Sequence, residues 1–156
     1  MNFYHGSPVP GLQLLQPAVS RLSTGECAVC MSSLPAMALL YGIRHFEYTY
    51  GYRWKNGKPQ ALQYIEYFPG ALRELYGQKE GWLYLCEDGG YRPGRIPNEY
   101  LSTQPVPVRQ CTRIPDLYEE LRARERAGEL EILPFEALSP TLKERIQQGA
   151  AEIIAE

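Results

Sequence analysis

Between Glu47 and Phe68 the sequence leaves the backbone little freedom. Residues 47–54 alternate, which sets Tyr48, Tyr50, Tyr52 and Trp54 on one face of a strand. Asn56-Gly57 comes next, a dipeptide suited to the positive φ angles of a two-residue hairpin turn. Residues 60–68 then return, with Leu62, Tyr64 and Glu66 alternating against Gln63, Ile65 and Tyr67. An antiparallel hairpin is therefore expected, and an all-helical chain is excluded. The hairpin also locates an unusual composition, 12 Tyr against 4 Phe. Tyrosines 41, 48, 50, 52, 64 and 67 all fall in or beside it. An aromatic ring with a polar handle suits strands, pockets and interfaces. The stripe reads first as packing against the rest of a sheet; its alternative use is a protein contact through Tyr48, Tyr50, Tyr52 and Trp54.

Around the hairpin, strands outnumber helices. Residues 2–5 read as a short strand stopped by Gly6-Ser7-Pro8, and residues 26–32 as another, followed by a helix over 34–41 with Leu34, Met37, Ala38 and Tyr41 at helical spacing. A helix over 69–76 ending at Gly77, a strand over 82–86, and an extended segment over 100–108 with Pro105 and Pro107 at a sheet edge come next. Ile114, Leu117, Tyr118 and Leu121 form the stripe of a helix closed by Gly128. A strand over 129–133 precedes a last helix, capped by Ser139 with Pro140 in its first turn and carrying Leu142, Ile146, Ala150 and Ile153. Without regular βαβ alternation, this pattern predicts an α+β fold with a largely antiparallel sheet, in a single domain over 1–156.

Charge and hydropathy remove several functions. With 16 Lys+Arg against 18 Asp+Glu the formal charge is −2, which argues against general nucleic-acid binding. No run approaches the roughly 18 apolar residues of a membrane helix. Met1 to Gly6 carries neither a basic region nor an apolar run, so a cytoplasmic protein is expected. Four cysteines make no disulfide framework. Cys27-x-x-Cys30 lacks the second pair that zinc requires, and on a strand the two face opposite ways, so buried structural thiols and no metal are expected. Arg122, Arg124 and Arg126 with Glu119, Glu120 and Glu125 read as a solvated helix face, and Glu87-Asp88 as a turn. His45 reads as a helix C-terminal residue. Of the remaining polar residues, His5 is followed by a glycine that a ligand ring can approach closely, and Glu99 stands where a loop enters an extended segment.

Taken together, Tyr4-His5-Gly6-Ser7, the run 28–32 leading into Ala38-Leu39-Leu40-Tyr41, and Asn98-Glu99-Tyr100 resemble the three ordered motifs of the ADP-ribosyltransferase fold. The likeness is to the diphtheria-toxin-like branch that includes the poly(ADP-ribose) polymerases. Residues 99–106 are also similar to the last motif of the small rifampin ADP-ribosyltransferases. The resemblance spans positions 3 to 108 in short motifs.

This resemblance implies split antiparallel sheets with flanking helices and NAD as substrate, without a metal. Glu99 would be the catalytic carboxylate, stabilising the cation that develops on ribose as nicotinamide leaves. His5 would hydrogen-bond a ribose hydroxyl, and the backbone of Gly6, followed by Ser7, would hold the carboxamide. Tyr41 would stack on the nicotinamide ring, and Ala38 stands where the family often has Ser. Cys30 stands where the second-motif Tyr would be, and Pro8 follows where a polar residue is frequent. These two departures carry an alternative: a nucleotide- or protein-binding module of the same fold without transfer. A third reading, an NAD glycohydrolase, differs only in using water as acceptor. The acceptor of a transferase is not identified by these residues.

Overall fold

A computed structural model describes residues 1–19, 27–44 and 49–155. In chain order the elements begin with β1 Tyr4–Ser7, β2 Leu14–Leu15, β3 Ala18–Val19, β4 Cys27–Ser32 and α1 Pro35–Leu40. The hairpin strands β5 Thr49–Lys55 and β6 Lys58–Ile65 precede α2 Ala71–Tyr76. Next come β7 Gly81–Cys86, β8 Arg92–Pro93, β9 Glu99–Ser102 and β10 Val106–Ile114. α3 Leu117–Arg126, β11 Glu131–Leu133 and α4 Pro140–Ala155 complete the described elements. The expected strand at 26–32 and the stripe at 48–54 begin in undescribed segments; His45 and Tyr48 lie outside the described residues.

The chain divides into two compact units, Met1–Gly42 with Glu80–Pro115, and Ile43–Lys79 with Asp116–Glu156. The first holds an eight-stranded sheet in the order β2-β10-β7-β1-β4-β9-β8, with β3 also on β4. All of its pairings are antiparallel. The second holds the order β11-β6-β5, where β5–β6 is antiparallel and β6–β11 parallel. An α+β fold with a largely antiparallel sheet is what the alternating patterns predicted.

Strand alternation decides which side of the first sheet is core. Val29 and Met31 of β4 join Phe3, Leu15, Cys86 and Val106 in a buried apolar cluster. Tyr91 and Tyr100 pack edge-on against Phe3, with ring centroids 4.9 and 5.0 Å away, an arrangement that brings the positive ring edge to the negative face. The alternate β4 residues, Cys30 and Ser32, turn to the opposite side, and there α1 lies.

α1 has only six residues, too few to be stable alone. Burial of Ala36 to Leu40 on all sides holds it, each large side chain contributing roughly 1.5–3 kcal/mol. Pro35 starts the helix where no N–H is needed, and the Ser32 hydroxyl accepts the Leu34 N–H at 2.9 Å. The helix packs directly on β1: a Cβ on Gly6 would overlap the Ala38 carbonyl oxygen.

In the second unit the turn is as expected, with φ of 52° at Asn56 and 73° at Gly57. Tyr50 and Tyr52 stand opposite Tyr64 and Leu62, both buried. The ladder shifts between Arg53 and Trp54, and Trp54, beyond the shift, is 55% exposed. The buried Glu66 carboxylate accepts the N–H of Leu72 at 2.9 Å and of Phe135 at 3.2 Å, so its charge is held by two backbone donors.

Two expectations are corrected. Ile114 is not part of the helical stripe; it ends β10, paired with Gly81, and α3 starts after Asp116, whose carboxylate accepts the Glu119 N–H. The cysteines are not all buried: Cys86 is, Cys30 is partly, and Cys27 and Cys111 are exposed. Among the described residues no helix is long and apolar enough to cross a membrane.

Candidate functional site

The first unit contains a fork in its sheet. β1 pairs with β7 along its whole length, Tyr4↔Leu85 to Ser7↔Trp82, but with β4 only at Tyr4↔Ser32. Beyond that pair, among the described residues, the side of β1 away from β7 has no ladder. Backbone alternation identifies the groups facing the gap. Phe3 accepts the Cys86 N–H at 2.9 Å, so Phe3, His5 and Ser7 direct their peptide groups towards β7. Tyr4 and Gly6 direct theirs the other way. The N–H and C=O of Gly6 therefore face the fork.

His5 spans it. Its Nδ1 lies 2.8 Å from the carbonyl oxygen of Cys30 on β4. A carbonyl can only accept, so Nδ1 carries the hydrogen and, in the neutral ring, Nε2 is an acceptor. Burial holds the imidazole below its ordinary value of 6.5, against the opposing pull of the Cys30 carbonyl. The neutral form is the one this environment favours.

Three strands bring Glu99 to the same place. Tyr4, Ser32 and Glu99 are register partners across β1, β4 and β9, so their side chains share one face. α1 covers that face over Gly6 and contributes Met37 and Ala38, and Tyr41 follows its last residue. The result is a small cleft, lined by His5, Gly6, Cys30, Ala38, Tyr41 and Glu99 together with Tyr4, Met31, Ser32 and Met37. The carboxylate of Glu99 accepts the Arg95 N–H at 3.0 Å through Oε1, which fixes one oxygen by a backbone donor.

Six of the seven residues singled out from the sequence thus line one cleft. Ser7 does not. Its hydroxyl accepts the N–H of Val9 at 3.0 Å and shapes the turn after β1. Gly6 has a role the sequence did not disclose: α1 requires the absent Cβ, besides any ligand that uses its backbone. Tyr4, Met31, Ser32 and Met37 were missed. Tyr4 immediately precedes His5-Gly6, but its alignment with Ser32 and Glu99 needs the register. Among the described residues no cluster of His, Cys, Asp and Glu is arranged to hold a metal ion.

Compared with known proteins, the sequence matches no family model and no curated relative.

Proposed function

We propose that the cleft binds the nicotinamide-ribose half of NAD and that the protein is an ADP-ribosyltransferase-like enzyme, with Glu99 as its catalytic carboxylate. The observation that carries this reading is the convergence, at a fork in the sheet, of a neutral histidine, two outward-facing peptide groups of a glycine, an aromatic wall and one carboxylate. Each suits a different part of that substrate. The N–H and C=O of Gly6 match the acceptor and donor of a carboxamide. Tyr41 offers a ring face to nicotinamide. His5 Nε2 accepts from a ribose hydroxyl.

The chemistry follows from the charge. As the bond from ribose to nicotinamide lengthens, positive charge develops on the sugar, and a fixed carboxylate lowers the energy of that state more than of the ground state. One oxygen of Glu99 is already held by Arg95 N–H, so the group is positioned before substrate arrives. The leaving nicotinamide needs only its carboxamide held, which the peptide groups of Gly6 provide. The acceptor of ADP-ribose is a separate molecule, or water in a glycohydrolase.

A second reading keeps the binding and drops the transfer. Its support is Cys30, which lines the cleft where the resembling family has a tyrosine. Calorimetric titration with NAD, together with an assay for free nicotinamide, separates the two. Binding with release supports the enzyme, binding without release supports the module, and no binding overturns both. Mass spectrometry of the products then shows whether a macromolecule, a small molecule or water gains ADP-ribose.

A further inference from the structure

We propose that the turn joining β8 to β9 is a cradle that sets the Glu99 carboxylate, with Gly94 as its positioning residue; this rests on the reading of Glu99 as the ribose-facing group. Residues 94–99 are bound to one another by three hydrogen bonds that all end on Glu99. Gly94 N–H donates to the Glu99 carbonyl at 2.8 Å, and Glu99 N–H donates to the Ile96 carbonyl at 3.2 Å. Arg95 N–H donates to the carboxylate itself at 3.0 Å. The side chain of Glu99 lies over Gly94 so closely that a Cβ there would stand 2.6 Å from its Cδ and overlap Oε1.

The turn is tied down at its other end. Asn98 adopts a φ of 68°, a left-handed conformation in which Asn is enriched. Its Nδ2 donates to the Ser33 hydroxyl at 2.9 Å, and its carbonyl accepts the Ser33 N–H at 2.9 Å. Ser33 connects β4 to α1, so the cradle is fastened to the segment that carries the opposite wall of the cleft. The two backbone–backbone bonds within 94–99 close the chain reversal; the bond from Arg95 N–H to the carboxylate and the tie of Asn98 to Ser33 are not needed for it. The six-residue arrangement aims a carboxylate, and glycine at 94 is what lets it lie there.

The geometry makes Gly94 separable from folding. The atoms a Cβ would meet first are Cγ, Cδ and Oε1 of the one Glu99 side chain and none of them is backbone, so Gly94→Ala forces that side chain to rotate, moves the carboxylate and leaves the strands in place. In the wild-type protein, the amide proton of Arg95 responds to titration of the carboxylate it contacts, a response absent in Glu99→Gln. In Gly94→Ala that response disappears and the kcat for nicotinamide release falls by about 10²-fold, the scale of a displacement of about 1 Å, with KM for NAD little changed. Gly90→Ala, whose Cβ meets nothing within 4 Å, leaves both unaffected. A retained Arg95 response in Gly94→Ala, or its absence in the wild type, overturns the cradle. An unchanged kcat with a lost response overturns its role in positioning. If the wild type releases no nicotinamide, the enzymatic reading fails, while the Arg95 titration still decides whether the cradle exists.

Discussion

The fork between β1 and β4 and the hairpin β5–β6 are both built from antiparallel strands, yet they treat their glycines in opposite ways. At the fork, Gly6 is needed because another backbone occupies the position of its Cβ. In the hairpin, Gly57 is needed because of its own φ of 73°, and no atom lies within 4 Å of its Cβ position. The first is a tertiary requirement and the second a local one. The same contrast runs through the tyrosines: the hairpin uses Tyr64 as buried filling, whereas the fork leaves Tyr41 and Tyr4 lining a cleft.

The largest expected effect exploits that difference. Gly6→Ala forces α1 off β1, because the Ala38 carbonyl is held in a helix and cannot swing aside, and costs about 3 kcal/mol as overpacking. Gly57→Ala, which suffers only the left-handed φ, costs about 1 kcal/mol. Urea unfolding of the two variants measures both, and equal losses would break the distinction.

The next prediction concerns pH. Burial depresses the pKa of His5 in the folded protein, so the unfolded chain binds a proton more readily. Its contribution to stability is therefore fully present above the unfolded value of 6.5 and is lost as pH falls from there through the lower folded value. Unfolding followed from pH 7.5 downward shows this slope, at most about 1.4 kcal/mol per pH unit for one proton. His5→Gln loses that component, with His45 unchanged as the internal reference; an identical slope in wild type and variant contradicts a buried neutral His5.

Smaller effects test the hairpin. The Tyr64 hydroxyl is buried with no hydrogen-bond partner among the described residues, and burial raises its pKa. Tyr64→Phe removes an unsatisfied group and raises stability by about 1 kcal/mol, read from the urea midpoint. A loss of stability would mean that the hydroxyl has a partner after all. Smallest is Trp54→Ala. With its side chain beyond the ladder shift and 55% exposed, it changes stability by no more than about 0.5 kcal/mol.

How much of this was legible in the sequence follows the same division. The hairpin was, because alternation and an Asn-Gly turn act within a few residues. So were α3's Gly128, at a φ of 80°, and the Glu120–Arg124 pair, 3.1 Å apart. The start of α3 was misread because Ile114 fits a helical stripe, although Asp116 three residues before Glu119 carries a capping signal. At the candidate site, the types of residue were visible in short motifs, but their assembly was not. The alignment of Tyr4, Ser32 and Glu99 depends on a register between strands far apart in the chain, which no local pattern specifies. The fit of α1 against Gly6 and of Glu99 against Gly94 depends on backbone approach, which composition does not record.

The most direct measurement is the rate of nicotinamide release from NAD by wild-type protein and by Glu99→Gln, an isosteric change that keeps the shape of the cleft and removes the negative charge. The account predicts release by the wild type and a loss of roughly 10²–10³-fold in kcat in the variant, the scale of removing one electrostatic contact to the transition state, with the unfolding midpoint unchanged. Equal rates in the two proteins, or no release by a wild type shown to be folded, would contradict it.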